Sequence, residues 1–247
     1  MTRKSKQISI GEDDRVFVLT GAGISAESGL ATFRASDGLW AGERVEDVAS
    51  PRGWKRNPER VWQFYSLRRK AAAEAAPNPA HLALAELERN LGERFFLCTQ
   101  NVDDLHERAG SHNLVHMHGE LFRSRCDRCK RASFTDTRLY LTKAVHLCCD
   151  CGGRIRPDIV WFGEVPFHLD RILEELQRCT VMLVVGTSGV VQPAASFVHW
   201  AGQHYVETGS LVRTYYVGPE HPANAAAFTQ IFEEPAGKCL PGLFHLE

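Results

Sequence analysis

The stretch Arg15-Val16-Phe17-Val18-Leu19-Thr20-Gly21-Ala22-Gly23-Ile24-Ser25-Ala26 (RVFVLTGAGISA) joins a short apolar run to a glycine-rich turn. The run Val16–Thr20 has the continuous apolar character of a parallel strand covered on both faces. Gly21-x-Gly23-x-x-Ala26 then has the spacing of a dinucleotide-binding turn. In such a turn the first glycine permits the bend and the second lets backbone approach a pyrophosphate. N–H groups at the start of a helix favour the anion. The same residues also suit an ordinary tight strand-to-helix turn, so this stretch alone does not decide what is bound.

Further strands are expected at Phe95–Thr99, Val181–Gly186 and Val212–Val217, with a shorter one around Leu114–Met117. Helical patterns lie between them. Ala80–Asn90 carries Leu82, Leu84, Ala85 and Leu87, and Pro166–Arg178 carries Ile172, Leu173 and Leu176. Strands alternating with helices define an α/β chain with a Rossmann-like parallel sheet. Two stretches interrupt the alternation. One contains a helical segment, Glu59–Ala76, closed by Pro77-Asn78-Pro79; the other holds five of the eight cysteines. The expected plan is a core made of residues 10–34, 80–119 and 158–247, a helical insertion at 35–79 and a four-cysteine module at 120–157. An NAD-dependent dehydrogenase would place an acidic residue at the end of its second strand, about 20 residues after the glycines. Asp37 and Asp47 end no strand, so simple hydride transfer is not favoured.

The 247 residues are 44% hydrophobic and 24% charged, with a net charge of −1. This is the composition of a globular chain with a sizeable core and no global field for nucleic acid or an anionic membrane. No apolar run approaches the ~18 residues of a membrane span, and no leader pattern opens the sequence. The chain therefore reads as cytoplasmic, without a membrane partner. A monomer is compatible with the sequence, which does not fix the oligomeric state. Disulfides rarely persist in a reducing cytosol, so the cysteines need another explanation.

Cys126-x-x-Cys129 is followed after eighteen residues by Cys148-x-x-Cys151. Two such knuckles fit a tetrahedral zinc site with four thiolate ligands. Free thiols in a loop are the alternative, and Cys149 offers a substitute ligand without the CxxC spacing. A site filled by four thiolates has no open position, so the metal's role would be structural. Cys98, Cys179 and Cys239 sit in apolar or helical contexts and read as small core residues.

Three polar groups follow expected strand ends, where ligands bind in open α/β sheets. They are Thr99-Gln100-Asn101-Val102-Asp103, His116-Met117-His118-Gly119-Glu120 and Gly186-Thr187-Ser188. The first also suits a helix cap, and the last a bare loop. Val160-Trp161-Phe162-Gly163-Glu164 reads as an extended apolar segment, either a core strand or one able to pair with a peptide by strand addition.

Together, GAGISAESGLATFR, TQNVDDLHERAG, HMHGE, the paired CxxC, VWFGE and GTS resemble the sirtuins, NAD-dependent protein deacylases, in family order over nearly the whole chain. The resemblance implies roles. Backbone around Gly21, Ala22, Gly23 and Ala26 would hold the NAD pyrophosphate. Phe33, Arg34 and Trp40 would lie on the cofactor side near the reacting ribose. Ile24, Asn101, Val102 and Asp103 would form the nicotinamide pocket, with Gln100 on the ribose. His118 would be the general base. Gly186, Thr187 and Ser188 would touch the adenosine half, and Ala236 the adenine. Gly218 stands where the family often has Asn, which leaves only a backbone contact there. Val160, Trp161, Phe162, Gly163 and Glu164 would bind the backbone of the acyl-lysine protein substrate.

Phe64-Tyr65-Ser66-Leu67-Arg68 adds a finer likeness. Tyr65 and Arg68 are three apart on one helical face. They resemble the Tyr and Arg by which class III sirtuins meet the carboxylate of a succinyl- or malonyl-lysine. Ala49 falls where that class keeps a small residue to widen the acyl pocket. Arg68, Arg69 and Lys70 otherwise read as an ordinary basic patch. The implied reaction consumes NAD, frees nicotinamide and passes the acyl group to ADP-ribose. A protein ADP-ribosyltransferase using the same site is the alternative. A zinc-ribbon nucleic-acid module, suggested by Arg123, Arg125, Arg128, Lys130 and Arg131, has little support from the near-neutral charge.

Overall fold

Six parallel strands build the main sheet: β1 (Val16–Thr20), β2 (Phe95–Thr99), β3 (Leu114–His116), β4 (Val181–Val185), β5 (Arg213–Val217) and β6 (Gln230–Phe232). Their spatial order is β3-β2-β1-β4-β5-β6. This is the doubly wound order of dinucleotide-binding folds, with its switch point between β1 and β4. The structure is a computed structural model describing residues 7–34, 39–129, 132–142, 146–187, 189–203 and 211–247; for residues 33, 34, 202 and 203 it describes the backbone alone.

Both faces of the sheet are covered, which is why its central strands read as unbroken apolar runs. Side chains alternate along a strand. Val16 and Val18 join Leu97, Val181 and Leu183 in one buried cluster with helix α2 (Pro79–Leu91). Phe17 and Leu19 join Phe96, Cys98, Met182 and Val184 in another, with helices α3 (Leu169–Arg178) and α4 (Ala194–Gln203). Each fully buried Val, Leu or Phe contributes about 1.5–3 kcal/mol. Helix α2 starts sharply because Pro79 follows Asn78, whose side chain accepts the Ala80 N–H in a capping box closed by His81. Strand β6 and helix α4 have no counterpart in the sequence reading. Ile8–Ile10 and Phe244–Leu246 pair in parallel and bring the two ends of the described chain together.

The helical insertion and the cysteine module form one lobe. Helix α1 (Pro58–Glu74) contributes Val61, Trp62, Phe64, Tyr65 and Ala72 to a third cluster. That cluster also holds Leu121, Cys126, Tyr140, Cys148, Ile155, Ile159 and Trp161. The cysteine module therefore shares its core with α1. Arg69 fastens the two. It is fully buried, donates to the carbonyls of Leu121 at 2.6 Å and Arg138 at 2.8 Å and to Ser124 Oγ at 3.0 Å, and lies 3.4 Å from Asp136. The alternative reading of positions 68–70 as an ordinary basic patch does not hold. Arg69 is interior, Arg68 half-buried, and only Lys70 exposed.

Candidate active site

The glycine turn sits at the switch point, pressed against the end of β4. Gly21 N–H donates to Val185 O at 2.9 Å and Gly23 N–H to Gly186 O at 2.8 Å. A Cβ on Gly23 would lie 2.7 Å from Gly186 Cα. Gly186 has φ +63°, and a Cβ there would lie 2.4 Å from Ile24 N. These glycines are required by the approach of one backbone to another. The Gly21 and Gly23 amides are engaged within the protein. Ala22 stands between them at the N-cap of a one-turn helix, Gly23–Ala26. Ala236 is buried beside this turn, tied through Gly237 N–H to Glu27 Oε1 at 2.9 Å.

A contiguous polar network follows β2. Ser25, which the sequence reading left out, is buried between two expected site residues. It donates to Asp103 Oδ2 at 3.1 Å and accepts from Asn101 Nδ2 at 3.1 Å. The Asn101 N–H is held by Thr99 Oγ1 at 3.0 Å. Burial raises Asp103, outweighing the hydrogen bonds from Leu105 N–H and Ser25. Gln100 is anchored by its backbone to Thr20 O, while its buried Nε2 has no partner among the described residues. Asn78, also unread as a site residue, donates to Ile24 O at 2.7 Å and fixes the far wall. The signal for Ser25 was its place inside the glycine motif; Asn78 had only its cap position.

His118 is half-buried beyond β3, and its Nδ1 lies 3.1 Å from Gln100 O. A carbonyl only accepts, so Nδ1 carries the hydrogen and Nε2 is left as the basic nitrogen. Burial lowers the ring's pKa, with the Gln100 carbonyl opposing it weakly. This is a neutral imidazole in the tautomer a general base needs.

The second cluster lies on the small lobe. Trp161 Nε1–H donates to the hydroxyl of fully buried Tyr65 at 3.1 Å. Arg68, one helical turn on, has buried Nε and Nη1 atoms without a hydrogen-bond partner among the described residues. Its guanidinium lies 5.3 Å from the Phe64 ring centroid, and burial disfavours its charge. Trp40, expected on the cofactor side, packs edge-on against Phe64 at 5.1 Å and Tyr65 at 6.0 Å.

Val160–Glu164 is not extended, contrary to the reading from sequence. The chain leaves the strand Ile155–Ile159 and turns, with Gly163 at φ +91° and Glu164 N–H donating to Trp161 O at 2.9 Å. Val160 N–H donates to His118 O and Phe162 N–H to Ala49 O. The turn thus ties the base to the small residue Ala49. Phe162 is half exposed at 49%, while Trp161 is buried at 1%. Thr187 and Gly218 follow β4 and β5 at the same sheet end. Val102 is half-buried beside the polar network. Phe33 and Arg34 pair with Leu39–Trp40 through backbone; their side chains, like Ser188, lie outside the described residues.

The four cysteines converge. Cys126, Cys129, Cys148 and Cys151 place their sulfurs within 4.8 Å of one another, with contacts of 3.5 Å (Cys126–Cys151) and 3.8 Å (Cys129–Cys148). Metal–sulfur bonds of about 2.3 Å at tetrahedral angles require edges of about 3.8 Å. N–H groups of Arg128 and Cys129 face Cys126 Sγ, and that of Gly153 faces Cys151 Sγ. The donor set fits zinc. Cys149 is exposed and outside the cluster. Burial raises the thiols of Cys98, Cys179 and Cys239, consistent with packing roles.

A doubly wound sheet with a glycine turn at its switch point and a polar cluster on its carboxyl ends defines a dinucleotide-binding type of α/β protein. The comparisons place it within that class. A model of the Sir2 family matches residues 21–193. An NAD-dependent protein deacylase of Salmonella typhimurium is 48% identical over 236 residues, covering 94% of this chain and 86% of that protein. A solved Sir2 homolog–NAD complex superposes with TM-score 0.83 at 41% identity, over 94% of this chain and 89% of the other. A Sir2 bound to acetylated peptide gives TM-score 0.76 at 29% identity, over 93% and 91%. The chain belongs to the Sir2 family of enzymes.

Proposed function

We propose that this chain is an NAD-dependent protein-lysine deacylase that removes succinyl and malonyl as well as acetyl groups. The Sir2 relatives named as NAD-dependent deacylases, and the homolog solved with NAD, support the reaction. One observation carries the acyl assignment: the half-buried Arg68, with unpaired Nε and Nη1, stands one turn from Tyr65. A guanidinium withdrawn from water without an acceptor is costly unless an anion completes it. A terminal carboxylate on the acyl chain is such an anion. Tyr65 adds a second donor, because its oxygen already accepts from Trp161 and its own hydrogen remains to be given.

NAD, as co-substrate, supplies an anomeric carbon from which nicotinamide departs when the acyl oxygen attacks. Ile24, Ser25, Asn101 and Asp103 form the amide-lined hollow for the departing ring. Held by Thr99 and Ser25, these groups lose no orientation in the reaction. Gln100 offers its unpaired Nε2 to a ribose oxygen. His118 Nε2 removes a proton from a ribose hydroxyl, and Gln100 O fixes the tautomer. Gly21–Ala26 and Gly186–Ser188 take the pyrophosphate and adenosine side, together with Gly218 and Ala236. Phe33 and Arg34 cover the cofactor. Val160–Glu164 receives the substrate backbone at the exposed Phe162, on proteins or peptides bearing acyl-lysine. Cys126, Cys129, Cys148 and Cys151 hold one structural zinc ion. The proposed boundaries remain a core of residues 10–34, 80–119 and 158–247 with insertions at 35–79 and 120–157. The described residues include no helix long and apolar enough to cross a membrane.

A parallel assay with acetyl-, malonyl- and succinyl-lysine peptides, with and without NAD, tests this reading. NAD-dependent loss of all three groups supports it. Removal of acetyl alone overturns the assignment of Arg68.

A further inference from the structure

Two histidines stand two residues apart in the chain, and they differ in the acceptors they meet. His118 meets one acceptor. His116 meets two: Nδ1 lies 2.8 Å from Asn101 O and Nε2 lies 2.7 Å from Glu107 Oε1. A carbonyl oxygen accepts only, and so does an ionised carboxylate. Both contacts are hydrogen bonds only if both ring nitrogens carry hydrogen. We propose that His116 is an imidazolium clamp, a positioning residue that pins the Asn101 carbonyl and thereby sets the amide-lined hollow.

The clamp completes the restraint of Asn101. Its N–H is held by Thr99, its side chain by Ser25 and its carbonyl by His116. His116 is 7% exposed. Burial opposes its charge, but the hydrogen bond and charge of Glu107, with the Asn101 carbonyl, raise the ring above the ordinary imidazole value. Glu107 is lowered in turn, because His116 outweighs the carboxylate's own burial. The surrounding charges do not offer a rival partner. Asp103 faces the ring from the loop but is bonded to Ser25 and Leu105. His106, on the helix carrying Glu107, is kept neutral by burial. Beyond lies a polar cleft of about 490 Å³ lined by His116, Glu120, Arg123, Asp158 and His168. There Glu120 lies 3.8 Å from Arg123, and Asp158 lies 3.5 Å from Arg125.

Deprotonation breaks the clamp. A neutral ring keeps one N–H and turns a lone pair on either the Asn101 carbonyl or the Glu107 carboxylate. Since the folded ring titrates above its ordinary value, the clamp holds below that raised pKa and is lost as pH rises through it. Activity then falls on an alkaline limb separate from the acid limb of His118.

The inference rests on the proposed reading only for what Asn101 does. The protonation state of His116 is measured without substrate, so the two can fail separately. Nitrogen-15 NMR of the full chain at pH 7 should show both His116 ring nitrogens protonated; a single ring N–H overturns the proposal. Glu107→Gln leaves an amide oxygen to accept from Nε2–H but removes the charge. This variant should move the alkaline break down by about one pH unit. A profile superimposable on the parent's overturns the clamp, because a merely structural Glu107 would leave the break in place.

Discussion

The indole N–H of Trp161 donates to the phenol oxygen of Tyr65 at 3.1 Å inside the small lobe. An indole nitrogen has no acceptor role, so the direction of this bond is fixed and Tyr65 keeps its own hydrogen to give. One helical turn on, Arg68 Nε and Nη1 have no hydrogen-bond partner among the described residues. Arg68→Met is expected to lower desuccinylation about ten- to hundred-fold, the worth of a charge-assisted contact of about 1.5–3 kcal/mol. Tyr65→Phe should lower it by about ten-fold. Deacetylation should change much less in both variants. Steady-state kinetics on paired succinyl and acetyl peptides checks this, and equal losses on the two substrates would remove the carboxylate assignment.

His118→Tyr is expected to reduce deacylation by at least about 10²–10⁴-fold, the usual contribution of a general base. Circular dichroism should show the fold retained, since the ring is half-buried and makes a single backbone hydrogen bond. The pH profile gives a second reading. A base works deprotonated, and burial lowers this ring below the ordinary value of about 6.5. The acid limb of kcat/KM should therefore have its midpoint below pH 6.5. A midpoint near 7 or above would contradict the geometry.

Gly186→Ala is expected to be more damaging than a typical surface change, because its new methyl would lie 2.4 Å from Ile24 N at a backbone with φ +63°. The glycine turn must shift to admit it. The predicted signature is a large rise in the KM for NAD together with a fall in Tm. A variant with parental affinity for NAD would show that the turn is not held from behind by β4.

The small lobe should respond as one unit to loss of either of its fasteners. Chelation would remove the zinc proposed for the four thiols, which crowd within 4.8 Å of one another. Arg69→Met removes the buried donor to the Leu121 and Arg138 carbonyls and to Ser124 Oγ, while Asp136 keeps Arg138, Ser124 and Tyr140, and is expected to cost about 1–3 kcal/mol. Both should lower the midpoint of thermal unfolding, and both should weaken acyl-peptide binding, because α1 carries Tyr65 and Arg68. If chelation leaves peptide binding and Tm unchanged, the cysteine cluster is not a structural metal site.

The doubly wound sheet was legible because strands buried on both faces leave no choice but continuous apolar runs, as in Val16–Thr20 and Val181–Val185. Strand β6 was not. Gln230-Ile231-Phe232 is a half-buried edge strand with too little apolar length to stand out. The four cysteines announced themselves by spacing, since two CxxC pairs suit one tetrahedral site. The shared core of the two insertions was invisible, because it depends on Trp62, Tyr140 and Trp161 meeting across a hundred residues of chain. Among site residues, those at strand ends could be read from position. Trp40 could not, since its packing on Phe64 and Tyr65 follows from the path of a loop. Val160–Glu164 misled by composition: the apolar letters of a strand are here bent by Gly163, and Glu164 is committed to Arg156 at 2.7 Å. The inward turn of Arg69 was not legible, since a run of basic residues gives no sign of which one is buried.

The most direct test of the central claim is mass spectrometry of the products from a succinyl-lysine peptide incubated with the protein and NAD. The account predicts unmodified lysine peptide, free nicotinamide and ADP-ribose carrying the succinyl group, in equal amounts. A peptide that keeps its acyl group and gains ADP-ribose would contradict it and assign the same cleft to ADP-ribosyl transfer.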